Sequence, residues 1–368
     1  ITADKIGYIQ DNIEIGKKIE IETINGEGKL LVPGFIDSHV HILGGGGEGG
    51  YKTRTPEIIL SDITRAGVTT VIGCLGTDGT TRTMSSLIAK ARALEEEGIT
   101  CYVYTGSYQI PVKTITGSIL DDLVIIDKII GVGEIALSDH RSSQPTIEEI
   151  AKIAAAARVG GMLSGKAGVV IIHLGDGDKK LSMLEKVIND TEIPVTQFIP
   201  THVERNLDLF KSAMAYAKKG GLIDLTTSTA AGKLSGKRDV SCGELLKKIL
   251  NNGISIENVS FSSDGQGSLP IFDEQGNYIR LGVGEVISLF NEVRDAVKHQ
   301  GISLETALKV ITSNPARNLK LHHKGKIEIG KDADLVLLNG NLEIDTVIAR
   351  GQVMVREMKI MVKGTFEN

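Results

Sequence analysis

The stretch Phe35-Ile-Asp-Ser-His39-Val-His41 reads as an apolar strand that ends in His-x-His. Residues two apart on a strand share a face, so both imidazoles aim the same way. Neutral imidazole is the commonest protein ligand for zinc-like metals, and two of them supply half of a tetrahedral shell. Taken alone, the pair is a weak signal, more often a hydrogen-bonded or solvent-facing feature than a metal site. Its meaning depends on what the rest of the chain places beside it.

Outward from this segment, one unit recurs: a short β-branched apolar strand, a polar Gly-containing loop, then an amphipathic helix. Strands are predicted over 35–39, 69–74, 101–105, 129–137, 169–173, 197–201, 222–226 and 259–262. Helical periodicity falls between them at 56–66, 84–98, 146–159 and 207–219, and beyond them at 303–311. Thr146 three residues ahead of Glu149 forms a capping box, and Ser303 ahead of Glu305 marks another helix start. Eight such strands close a (β/α)8 TIM-type barrel. The expected division is a catalytic barrel over 34–319 and a small β-sandwich domain built from the two chain ends, 1–33 and 320–368.

Composition fits an ordinary soluble globular protein. The chain has 368 residues, 41% hydrophobic and 24% charged, enough for a large core and a second small unit. No apolar run approaches the ~20 residues of a spanning helix, and nothing at the start resembles a signal peptide, so a cytoplasmic location is expected. The chain opens at Ile1 without an initiating Met, and residues upstream of it are expected. Cys74, Cys101 and Cys242 are scattered in apolar contexts and read as small core residues rather than a disulfide framework. A net charge of -5 offers no basic stripe for nucleic acid and no basic helix for a membrane. A small molecule is the expected partner.

Barrel enzymes build their sites at the C-terminal ends of the strands. Here His39 and His41 end the first strand, Glu134 lies on the fourth, His173 ends the fifth, His202 the sixth and Asp264 the eighth. Four imidazoles and two carboxylates exceed the needs of one tetrahedral ion. They suit two divalent ions, zinc being the first expectation, about 3.5 to 4 Å apart with a bridging carboxylate and a bridging hydroxide. Asp264 is placed to take the proton of that water and deliver it to a leaving nitrogen. The implied chemistry is hydrolysis of an amide-like bond.

The motif Pro33-Gly-Phe-Ile-Asp-Ser-His39-Val-His41, the strand-end His173, His202 and Asp264, and the tail Gly325-Lys-Ile-Glu-Ile-Gly-Lys-Asp-Ala-Asp-Leu-Val resemble the amidohydrolase superfamily. Over nearly its whole length the chain is similar to the β-aspartyl (isoaspartyl) dipeptidases. The segments that carry this are Gly44-Gly-Gly-Gly-Glu48, Arg54-Thr-Pro-Glu57, Leu75-Gly-Thr-Asp78, Thr105-Gly-Ser-Tyr108, Thr116-Gly-Ser118, Ser138-Asp-His-Arg141, Pro200-Thr-His-Val-Glu-Arg205 and Ser262-Ser-Asp-Gly-Gln-Gly-Ser268. The resemblance implies that His39, His41 and Asp264 hold one metal and His173 and His202 the other. It implies that Glu48, with Thr77 close by, receives the substrate α-amino group. Tyr108 would polarise the scissile carbonyl, and Arg141, Arg205 and Ser268 would hold carboxylate ends. An ammonium with a carboxylate and a carboxylate with a guanidinium are sound pairings. The family tends toward homo-oligomers.

One position departs from the family pattern. Familiar members place a carbamylated lysine on the fourth strand to bridge the metals, and this chain has Glu134. Its carboxylate is expected to bridge without modification, with no dependence of activity on bicarbonate; the shorter side chain requires a shift of backbone or metals. The 44–50 glycine run lacks the Lys and Ser/Thr of a P-loop and reads as an active-site loop carrying Glu48. The 229–239 stretch is either a mobile lid or an exposed loop. Other readings stay open: a cyclic amidase, an N-acyl amino acid deacylase or a deaminase would share the metals, and a dihydropyrimidinase-like assembly protein would lack activity altogether.

Overall fold

The apolar segments between residues 35 and 262 form eight parallel strands in chain order. In the computed structural model, which describes residues 1–11, 13, 21–229, 240–272 and 278–368, β1 (Leu30–Pro33) precedes them. They are β2 (Phe35–Val40), β3 (Val68–Gly73), β4 (Thr100–Thr105), β5 (Ile129–Leu137), β6 (Val169–Leu174), β7 (Phe198–Thr201), β8 (Ile223–Thr226) and β9 (Val259–Ser262). β2 to β7 make one parallel sheet in sequential order, and β8 pairs with β9.

Two seams complete the curl. At β9 and β2, Val40 bridges Gly265 in parallel, the His41 amide donates to the Gly265 carbonyl at 2.8 Å and the Asp264 amide to the His39 carbonyl at 3.1 Å. At β7 and β8, side chains take over: Thr201 Oγ1 donates to Asp224 at 2.9 Å and the Thr226 amide donates to the Glu204 carboxylate at 3.0 Å. The result is a TIM-type barrel.

Alternation along the strands separates two apolar faces. Ile36, Ile72, Tyr104, Ile130, Ile171 and Ile199 pack together and are joined by Leu319 and Leu321. Phe35, Val71, Val103, Val170 and Phe198 belong instead to the large cluster that includes the helices. Strands buried on both faces explain the near-continuous Val and Ile runs.

Helix Ile147–Ser164 carries the capping box of Thr146 and Glu149 and ends at Gly165 in the left-handed conformation. The helix expected over 56–66 is shorter, Leu60–Thr64. Its lead-in runs alongside the end of β2 instead, where the Ile58 amide donates to the Ile42 carbonyl at 3.2 Å. After β9 comes an unforeseen hairpin, β10 (Ser268–Phe272) and β11 (Tyr278–Val283).

Near the chain's end lie β12 (Leu335–Leu338), β13 (Ile344–Ala349), β14 (Gln352–Arg356) and β15 (Lys359–Ile360). With β1 they form one antiparallel sheet in the order β1-β12-β13-β14-β15; no second layer of a sandwich is present among the described residues. Buried Lys324 ties this unit to the barrel, its Nζ donating to Thr100 Oγ1 at 2.7 Å and pairing with Asp332 at 2.7 Å. Among the described residues no helix is long and apolar enough to cross a membrane. Of the 229–239 stretch, 230–239 lie outside the described residues.

Candidate metal centre and substrate lip

Irregularities in two strands present the central imidazole and carboxylate. On β2, Asp37 pairs with Val71 and Val40 with Gly73, so Ser38 and His39 together face the single residue Ile72. On β5, Val132 pairs with Val170 and Ile135 with Ile172, leaving Gly133 and Glu134 opposite Ile171. Such bulges bend a strand and re-aim its side chains. Gly133 sits at φ 144°, and a Cβ there would lie 2.8 Å from the Ile171 carbonyl oxygen, so only glycine fits. The irregularity at Gly133 immediately precedes Glu134.

All four imidazoles converge on the Glu134 carboxylate, which is fully buried. Oε2 lies 3.2 Å from His39 Nε2, 3.3 Å from His173 Nδ1 and 3.7 Å from His202 Nε2; Oε1 lies 3.4 Å from His41 Nε2. Asp264 Oδ1 stands 3.0 Å from His41 Nε2 and 3.8 Å from His39 Nε2. Burial works against ionisation of Glu134, but the His39 charge, the hydrogen bond of His173 and the nearby His202 hold its carboxyl well below the usual range. Burial likewise opposes ionisation of Asp264, and the close approach and charge of His41 bring it down to about 2.

The donor set fits divalent ions. His39 Nδ1 and Nε2, Glu134 Oε1 and Asp264 Oδ1 are buried without a hydrogen bond of proper geometry among the described residues, a costly arrangement unless a cation satisfies them. Two sets have ligand atoms within 4.8 Å of one another: His39, His41, Cys74 and Glu134, and Glu134, His173 and His202. Glu134 belongs to both.

Above the cluster sits a charged lip. Glu48 Oε1 accepts from Thr77 Oγ1 at 2.7 Å and from Arg141 Nη1 at 3.1 Å. Burial opposes ionisation of Glu48, while Thr77 and Arg141 outweigh it and lower its pKa. Arg205 Nη2 lies 3.4 Å from His173 Nε2. The Tyr108 hydroxyl is 2.8 Å from His173 Nδ1, and burial together with the Glu134 charge pushes the phenol well above its ordinary range, so it stays a donor. Ser268 opens β10 against the 44–50 loop, where a Cβ on Gly46 would lie 2.8 Å from Ser268 Cβ.

Three members were not singled out in the sequence. Cys74, read as core, is buried but places Sγ 3.7 Å from His41 Nδ1. Asp139 accepts from Arg141 through two nitrogens and lies 3.1 Å from His173 Nε2. Thr226 Oγ1 lies 2.8 Å from His202 Nδ1. Each ends a strand or lies just past one, as the candidate ligands do; Asp139 also lies inside the quoted Ser138-Asp-His-Arg141 motif.

Comparison with known proteins agrees with this geometry. The sequence model of the amidohydrolase family matches residues 30–354. A β-aspartyl dipeptidase from the thermophilic, keratin-degrading Fervidobacterium islandicum AW-1, solved in complex with β-Asp-Leu dipeptide, is 50% identical, covering 90% of this chain and 87% of that one with a TM-score of 0.83. A second structure of that enzyme is 45% identical over 97% of this chain and 92% of that one, with a TM-score of 0.87. An adenine deaminase from Desulforamulus reducens is 24% identical over 94% of this chain, which spans about half (54%) of that relative's length. The chain therefore belongs to the amidohydrolase family.

Proposed function

We propose that this chain is a metal-dependent β-aspartyl (isoaspartyl) dipeptidase. The observation that carries the reading is the convergence of four imidazoles on one buried carboxylate beneath a lip of paired opposite charges, in a chain half identical to a β-aspartyl dipeptidase that binds β-Asp-Leu. His39, His41 and Asp264 would hold one ion, His173 and His202 the other, with Glu134 shared. When bound, two divalent ions, zinc first among those expected, supply Lewis acidity and a nucleophilic water at neutral pH.

The chain's own residues do the rest. Glu48 receives the α-ammonium of the aspartyl residue, and Arg141 and Arg205 receive carboxylates, with Ser268 at the edge of the loop. Tyr108 donates its phenolic proton toward the oxygen on which charge develops. Asp264 takes a proton from the attacking water and delivers it to the departing amine. The amide C–N bond breaks, and aspartate and a free amino acid leave. An α-linked peptide presents the scissile bond and the free carboxylate in exchanged positions, so the same anchors discriminate against it.

The same reading takes 1–33 and 320–368 as a small β domain, 34–319 as the catalytic unit, and the protein as a cytoplasmic homo-oligomer. Support for the domain division is the antiparallel pairing of β1 with β12. The decisive experiment is hydrolysis of β-Asp-Leu beside α-Asp-Leu by zinc-loaded protein without added bicarbonate. Cleavage of the β isomer alone is expected. Cleavage of neither overturns the reading, and a bicarbonate requirement overturns the bridging role of Glu134.

A further inference from the structure

Asp139 occupies a place that the mechanism above leaves unused. Its side chain is almost fully buried, at 3% exposure, immediately past β5. Oδ1 accepts from the Arg141 amide at 2.8 Å and from Arg141 Nε at 3.0 Å. Oδ2 accepts from Arg141 Nη2 at 2.7 Å and lies 3.1 Å from His173 Nε2. One carboxylate oxygen thus serves a guanidinium of the substrate lip and an imidazole of the metal centre.

Three groups face His173 Nε2: Asp139 Oδ2 at 3.1 Å, Arg141 Nη2 at 3.2 Å and Arg205 Nη2 at 3.4 Å. The guanidinium nitrogens only donate and ionised Asp139 only accepts; pairing with the carboxylate, the nearest of the three and itself held by Arg141, puts the ring proton on Nε2. Nδ1 is then left with its lone pair facing Glu134 Oε2 at 3.3 Å and the Tyr108 hydroxyl at 2.8 Å. A carboxylate behind a ligating imidazole fixes ring orientation and strengthens the ligand. The bidentate contact likewise fixes the Arg141 fork, whose third nitrogen reaches Glu48 at 3.1 Å.

We propose that Asp139 is a positioning residue that couples the metal centre to the carboxylate-binding arginine: it holds His173 ready to ligate through Nδ1 and Arg141 ready to receive the substrate carboxylate. The Arg141 half of this rests on the dipeptidase reading; the His173 half does not.

The test is Asp139→Asn in the full chain, loaded with zinc. Zinc release to a chelator, followed without substrate, is expected to quicken for the ion held by His173 on the order of 10–100-fold. KM for β-Asp-Leu is expected to rise more than kcat falls. In an Arg141→Met background, Asp139→Asn should quicken zinc release equally but raise KM no further, because the arginine it acts through is gone. Wild-type zinc release, or KM effects that multiply fully in the double variant, would overturn the coupling. If wild-type protein leaves β-Asp-Leu intact, the dipeptidase reading fails while the zinc measurement still decides the His173 half. Should the Asn variant not fold, Asp139→Glu keeps the charge but shifts it by one methylene; unchanged KM and zinc release in that variant would equally overturn the proposal.

Discussion

His173 and His202 meet oxygen partners on their outer nitrogens, Asp139 at 3.1 Å and Thr226 at 2.8 Å. His41 meets a thiol, Cys74 Sγ at 3.7 Å, and His39 meets no hydrogen-bond partner at either ring nitrogen among the described residues. The two halves of the cluster are therefore oriented by different forces. On the His173 and His202 side, directional hydrogen bonds set the rings before any cation arrives, each contributing about 0.5–1.5 kcal/mol, or more when charged. On the His39 and His41 side the rings depend on close packing and on the strand irregularity at Ser38 and His39. Shape fixes a ring's plane well but does not choose its tautomer. The lesson is that a symmetric ligand count can conceal an asymmetric centre, with one half preorganised and the other organised by the ion.

The largest expected effect strikes the less supported half. Asp264→Asn should remove the proton carrier next to His41 and lower kcat on the order of 10²–10⁴-fold, with an unchanged far-UV circular dichroism spectrum. Turnover near that of wild type would take Asp264 out of the chemistry. Glu48→Gln should lower kcat/KM by about 10–100-fold, the worth of one hydrogen bond to a charged group, and leave zinc content untouched. Loss of zinc in that variant would instead tie the lip to the cluster.

Chelation sharpens the contrast directly. Zinc-loaded protein is expected to release metal in two phases, the faster from the His39 and His41 half. Thr226→Val should quicken only the slower phase, about 2–10-fold for one neutral hydrogen bond; a single phase in the wild type would break the comparison. Cys74→Ala is expected to alter the faster phase least, by less than about threefold, because a thiol is a weak partner. Cys74→Ser should slow that phase, since a hydroxyl accepts better. A large effect of Cys74→Ala, together with a sulfur-to-metal charge-transfer band in cobalt-loaded protein, would make the thiol a ligand rather than a neighbour.

Much of this was legible one segment at a time. Strand positions follow from local runs of β-branched residues, and all eight barrel strands fall within a few residues of the predicted ranges. The strand-end rule located His39, His41, Glu134, His173, His202 and Asp264 because side-chain direction alternates along a strand whatever surrounds it. The helix at 56–66 was overestimated, since periodicity cannot report that Ile58 pairs with Ile42. Nor could it report the β10 and β11 hairpin, whose strands are short and flank a polar stretch.

What the amino-acid order determined by itself was the kind of barrel, the strand ends that carry polar groups, and the replacement of a family lysine by Glu134. Only the tertiary structure decided that Cys74 stands behind His41, Thr226 behind His202, and Asp139 between His173 and Arg141. These partners lie 33, 24 and 34 residues apart from the imidazoles they meet. Hydrophobic periodicity is a local signal, whereas the meeting of two such side chains depends on strand register and on the bulges at Ser38 and Gly133, which become fixed when neighbouring strands pair and the barrel closes.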